Sequence, residues 1–175
     1  MHEQIETSIR TEEAGDYEAV GEVVEKAFES AEHSDGTERE LVAALRKSSA
    51  FIPELSLVAE VDGKIAGHIL FTKITVGGSP ALALAPLAVL PEFQRRGIGT
   101  ALIEEGHKRA AQLGFGWSIV LGSEKYYPRF GYTKAEEFSI NVPEGIPSIN
   151  FMAKKLSPDA APVSGDVEYA AEFGL

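Results

Sequence analysis

Apolar positions change their period along the chain, and each change marks an element. Ile5 to Arg10 alternate apolar and polar residues, as a half-buried strand does. From Asp16 to Phe28 the period becomes helical. Tyr17, Val20, Val23, Val24 and Ala27 share one face, and Asp16 stands where an N-cap is needed. Ser30 to Gly36 is a polar loop. A second helix begins at Thr37, with Glu40 at capping-box spacing and Leu41, Val42 and Leu45 inward. Leu55–Val61, the turn Asp62-Gly63 and Lys64–Val76 predict a β-hairpin. Ala81 to Leu90 is an apolar strand interrupted by Pro86.

Gly99 to Leu113 carries the strongest helical pattern. Leu102, Gly106, Ala110 and Leu113 lie on one face, and Gly114 ends the helix. Trp117–Leu121 predicts a short buried strand, and Ser123–Tyr132 a helical turn broken near Pro128. Two further strands are predicted at Glu137–Val142 and Asn150–Leu156. The tail from Ser157 is rich in small residues and proline. Its Val167, Tyr169 and Phe173 predict packing on the body, and Asp166–Phe173 reads equally as strand or helix.

This order places the chain in the α+β class, with a mixed, mostly antiparallel sheet of about seven strands flanked by helices. Ala81 to Leu121 forms a single strand–helix–strand crossover, which makes two strands parallel. A single domain is expected over residues 1–175, with its core about 5–156 and the tail 157–175 folded on it.

Charge and composition narrow the partners. A net charge of −11 disfavours nucleic acid and anionic membrane, and it makes the pair Arg95-Arg96 conspicuous. No stretch approaches the ~18 apolar residues of a membrane helix, and the N-terminus lacks a signal-like pattern. Cysteine is absent and the four histidines show no paired spacing, so no metal site is expected. These features suit a cytoplasmic protein.

The chemistry concentrates where the interrupted strand meets the strongest helix. A strand, a short glycine-containing turn and a helix start form an anion site, because the first helical N–H groups lack internal partners and the helix dipole adds positive potential. Gln94, Arg95, Arg96, Gly97, Ile98, Gly99 and Thr100 are the residues placed there. They expect a phosphate or pyrophosphate, held through backbone amides. The known phosphate motifs are not matched. No lysine follows the glycines as in a Walker loop, and Leu102 stands where a dinucleotide fingerprint needs a third glycine.

The run Gln94-Arg95-Arg96-Gly97-Ile98-Gly99 resembles the Gln/Arg-x-x-Gly-x-Gly/Ala motif of the GNAT superfamily of acyl-CoA-dependent N-acetyltransferases. "LAPLAVLPEFQRRGIGTAL", "LGSEKYYPRFGY" and "GDVEYAAEF" are similar to its YhbS-like branch, and the element order matches from about Ile5 to Leu156. The resemblance implies a sheet splayed between strands 4 and 5, with Pro86 at a bulge. Acetyl-CoA is the implied cosubstrate. Leu87, Ala88 and Val89 would face its arm with backbone groups, one amide polarising the thioester carbonyl. "YYPRFGY" implies Tyr127 as the acid beside the sulfur, with Tyr126 its neighbour.

The implied reaction is transfer of acetyl to a primary amine of a small molecule or protein. A small amine is favoured slightly, because the acidic chain attracts cations. A catalytically silent acyl-CoA-binding sensor or scaffold is the alternative. No base is legible among His68, Glu54, Glu60 and Glu124. The loop at His33 and the tail are expected beside the acceptor. The oligomeric state is left open, dimers being common in that family.

Overall fold

The computed structural model describes residues 7–29 and 36–173. The chain runs β1 (Thr7–Thr11), α1 (Tyr17–Phe28), α2 (Glu38–Arg46), β2 (Phe51–Val61), β3 (Lys64–Val76), β4 (Ser79–Val89), α3 (Ile98–Gln112), β5 (Trp117–Leu121), β6 (Thr133–Lys134), β7 (Phe151–Lys155) and β8 (Val167–Glu168). The strands form one sheet in the order β1-β2-β3-β4-β5-β7-β6, with β8 paired to the end of β3. Every pairing is antiparallel except β4–β5. The fold is thus the α+β arrangement expected, with β6 and β8 present and no strand at Glu137–Val142.

Alternation along the strands divides the core into layers. Leu57, Ile69, Phe71, Leu82, Leu84 and Val120 meet Ile98, Leu102, Ile103 and Ala110 of α3 on one face. On the opposite face Val20, Val23, Val24 and Val42 of α1 and α2 pack on Val58, Ala88 and Leu90. The same face farther along, at Trp117, Ile119, Phe151 and Ala153, is covered by irregular chain and the tail. Each fully buried Leu or Phe contributes roughly 1.5–3 kcal/mol, so these layers carry most of the stabilisation.

The β4–β5 ladder is short. It joins only Leu82 to Ser118 and Ala83 to Ile119. Beyond Ala83, β4 continues to Val89 paired on its β3 side alone. Between the pairs Ile69–Leu87 and Phe71–Leu84 the register shifts, because β4 holds one more residue than β3. That extra residue falls at Ala85-Pro86, where a proline without an N–H fits a bulge. The two strands therefore part, as the resemblance implied.

Several elements differ from the sequence reading. Ile5 and Glu6 lie outside the described residues, and β1 extends to Thr11. Asp16 stands at the N-cap position of α1 but makes no cap hydrogen bond to that helix. Its carboxylate instead accepts from Arg10 and from the Glu13 amide. β2 starts earlier, at Phe51, with an irregularity before Ser56 that accommodates Pro53. Glu137–Val142 is not a strand. A 3-10 turn spans Ala135–Phe138, and only Ile140 bridges, to Gly165. The alternation of Phe138, Ile140 and Val142 arises from packing on the Trp117 layer, not from ladder pairing.

Residues 166–173 combine both readings: β8 on β3, then a 3-10 turn at Ala171–Phe173 that contacts α2. The tail is pinned further by Trp117 Nε1, which donates to the Ala161 carbonyl. Among the described residues no helix is long and apolar enough to cross a membrane.

Candidate active site

At the end of β4 the chain makes a 3-10 turn at Pro91–Phe93 and enters α3 through Gly97, whose φ of 83° is left-handed. Glycine takes that conformation without Cβ strain. Arg95 is also left-handed, at φ 63°. Among the described residues, no backbone N–H from Arg95 to Thr100 donates to another backbone group. The result is a concave run of free donors at a helix start, the geometry that binds anions.

These amides border a cavity of about 590 Å³ lined by Leu87, Val89, Gln94, Arg95, Gly97, Ile98, Gly99 and Thr100, with Phe93, Tyr126 and Arg129. A Cβ on Gly99 would lie 2.6 Å from the Tyr126 hydroxyl, so only glycine leaves the helix start open there. Arg129 stacks over the Tyr126 ring at 5.2 Å, which holds a second cation at the cavity wall.

Most of the predicted site residues line this cavity; Ala88, Arg96 and Tyr127 do not. Ala88 turns its side chain to the α1 layer. Arg96 leaves the cavity wall, with its guanidinium 6.0 Å from the Phe93 ring. The Val89 carbonyl accepts from Gln94 Nε2 at 3.1 Å. Phe93, Tyr126 and Arg129 were not among the predicted site residues. Arg129 had a signal in its position two residues after Tyr127, within a stretch already tied to the site.

Tyr127 stands behind Tyr126 rather than on the cavity wall. Its ring packs edge-on against Tyr126 at 5.1 Å and Tyr132 at 5.8 Å. It also fills the space a Cβ on Gly122 would take, just past the end of β5. Burial pushes its phenol pKa up, and Tyr126 adds to the shift. Its hydroxyl makes no hydrogen bond among the described residues. The ring is thus fixed by packing while its proton stays on.

A larger cavity of about 750 Å³ lies between α1 and α2, where Glu22, Glu25, Glu29, Glu38 and Glu40 outnumber Lys26 and Arg39 in the lining. Its lining carboxylates disfavour an anion, whereas the α3 cradle offers amide donors and Arg95 and Arg129. The carboxylates considered as bases are engaged or exposed. Glu60 accepts from Arg10 Nε at 2.8 Å, and Glu124 accepts from Asn150 Nδ2 at 2.8 Å. Glu54 is exposed. His68 is fully buried in β3, with Nδ1 2.9 Å from the Leu57 carbonyl. His2 and His33 lie outside the described residues. Among those described, no group of acidic and histidine residues is gathered that could hold a metal.

Residues 18–132 match the Acetyltransferase (GNAT) family. The chain belongs to the GNAT acetyltransferases. It is similar to two relatives from Escherichia coli K12, both uncharacterised N-acetyltransferases. YjhQ is 42% identical over 117 residues, 65% of this chain and 62% of its own length. YhbS is 29% identical over 169 residues, 94% of this chain and 97% of its own. Among solved GNAT structures, one from Brucella melitensis in complex with acetyl-CoA is 35% identical with a TM-score of 0.80, covering 97% of this chain and 99% of that one. The E. coli YhbS structure in complex with CoA has a TM-score of 0.88 at 27% identity, covering 100% and 96%. The GNAT sheet, with its parallel β4–β5 pair, is therefore shared along the whole chain.

Proposed function

We propose that this GNAT protein transfers the acetyl group of acetyl-CoA to a primary amine of a small molecule or a protein. The observation that carries the proposal is the run of undonated amides from Arg95 to Thr100, set beside the parting of β4 from β5. Such amides suit the diphosphate of coenzyme A, and the opening beyond Ala83 suits its extended arm. Related GNAT structures hold acetyl-CoA and CoA.

Acetyl-CoA supplies an acetyl group activated as a thioester; everything else is asked of the protein. The amides of Gly97 to Thr100, with Arg95 and Arg129, hold the diphosphate through hydrogen bonds and charge. Leu87 and Val89 line the way into the sheet opening, where the unpaired edge of β4 pairs with the arm as a strand would. A β4 amide donates to the thioester carbonyl oxygen as negative charge develops on it.

The Tyr127 hydroxyl gives its proton to the departing sulfur, and the phenolate takes one back from water as CoA leaves. Burial raises the pKa of a thiol as it raises that of the phenol, so a shared apolar environment keeps the gap between donor and acceptor from widening. Among the described residues no single side chain stands ready as the base, and the amine delivers its proton to water. The chain's charge of −11 favours a cationic acceptor that deprotonates on entry.

Release of free thiol from acetyl-CoA across a panel of primary amines tests the proposal. Thiol release above the water background with at least one amine is expected. Binding of acetyl-CoA with no release for any amine would mark a sensor instead of an enzyme.

A further inference from the structure

Behind Tyr127 lies a polar group in the core that the proposed reaction does not use. Tyr132 is 1% exposed, yet its hydroxyl sits 2.8 Å from Ser118 Oγ and 2.8 Å from His107 Nε2. Ser118 is itself fully buried. The phenol donates to one neighbour and accepts from the other, so all three groups are satisfied at one oxygen. A phenylalanine would fill the same volume without any polar group to satisfy.

The three partners belong to separate parts of the chain. Ser118 pairs with Leu82, one residue before the last β4–β5 pair, Ala83 with Ile119, after which the strands part. His107 lies nine residues into α3 from Ile98, about 14 Å along the axis at 1.5 Å per residue. Tyr132 follows the turn that carries Tyr126, Tyr127 and Arg129. Its ring lies 5.8 Å from that of Tyr127, edge-on, and 5.5 Å from His107. One oxygen therefore joins the helix whose start holds the anion cradle, the strand whose end borders the opening, and the segment bearing the candidate acid.

We infer that Tyr132, with Ser118 and His107, is the positioning clamp that sets the distance between the diphosphate end and the sulfur end of the cleft. This rests on the acetyltransferase reading above. The clamp touches neither substrate. It fixes α3 against β5, and through the Tyr127 ring it fixes the angle of the acid. Burial, with Lys154 nearby, lowers the His107 pKa to about 4. The imidazole is neutral through the physiological range and serves as a geometric partner rather than a charge.

The test compares Tyr132→Phe, His107→Gln and His107→Leu with the unaltered chain. A misplacement of this kind is expected to lower kcat of Tyr132→Phe about tenfold, with KM for acetyl-CoA and Kd for CoA within about twofold. His107→Gln, which still reaches the phenol, should keep most of its turnover, and His107→Leu should fall like Tyr132→Phe. Wild-type kcat in Tyr132→Phe, measured below its melting temperature, would overturn the inference and leave the triad a packing feature. Hydrogen exchange in the ligand-free protein gives a reading independent of turnover. Tyr132→Phe should speed exchange at Ile119 to Leu121, and unchanged exchange there would refute the clamp. Absence of turnover in the unaltered chain would instead count against the proposed function, and exchange alone would then decide the clamp.

Discussion

The Tyr126 hydroxyl lies 2.6 Å from the point where a Cβ on Gly99 would stand. The aromatic segment after β5 and the first turn of α3 are therefore in contact across the cavity, and any side chain at position 99 intrudes between them. Gly99→Asp adds bulk and a negative charge where the diphosphate is proposed to sit. Its Kd for CoA should rise at least about 100-fold, or ~2.7 kcal/mol. Calorimetric titration measures it, and an unchanged Kd would move the anion site elsewhere. Gly99→Ala, which adds bulk alone, should show a smaller loss.

The two adjacent tyrosines separate by what they touch. Tyr126 lines the cavity, and Tyr127 is held behind it with its proton retained. Tyr127→Phe should lower kcat about 100-fold, the low end of general-acid contributions, with Kd for CoA little changed. Tyr126→Phe should act chiefly on Kd. If Tyr126→Phe were the variant that lost turnover, the acid would be Tyr126.

Stability should fall on mild acidification, because His68 is buried and its pKa is lowered to about 4. Desolvation is the main cause, and Arg46 adds to it. Glu12 and the hydrogen bond to the Leu57 carbonyl oppose the shift. The unfolded chain takes up a proton near pH 6.5 and the folded chain only near 4. The stabilising effect is therefore complete above 6.5 and is lost as pH drops toward 4. Urea denaturation at pH 6.5 and pH 5 should differ by up to about 2 kcal/mol from this group, at ~1.4 kcal/mol per pH unit. His68→Leu should flatten that part of the curve. An equal slope in the variant would assign the dependence to other groups.

Glu12 and Arg46 form a pair with side chains 1% and 11% exposed. Arg46 Nε and Nη2 both reach the carboxylate, and Ser56 Oγ donates to it at 2.9 Å. Glu12→Ala strands a buried guanidinium and a hydroxyl, and it should cost about 3–5 kcal/mol of unfolding free energy. A loss under about 1 kcal/mol, the range of exposed pairs, would show that water reaches the site.

What the sequence made legible follows from how local each signal was. Gly97, Gly99 and the helix after them form one continuous run, so the cradle could be read directly. Pro86 marked the bulge because a missing N–H is a property of the residue alone. The turning of Ala88 away from the cavity depends on which side of the bulge the pleat resumes, and Arg96 depends on the aromatic face of Phe93. Arg129 reaches the cradle only once the chain folds back after β5. The Tyr132–Ser118–His107 group joins a residue just before β6 to one on β5 and one on α3, and no pattern along the chain announces it. Glu137–Val142 misled because alternation reports burial on one side, which irregular chain also achieves.

The most direct measurement of the central claim is the amide spectrum of the 15N-labelled chain as CoA is added. The account predicts large shifts at Arg95 to Thr100 and along Leu87 to Val89, with the α1–α2 cavity residues still. Shifts confined to Glu22–Glu40, with Gly97 and Gly99 unmoved at saturation, would contradict it.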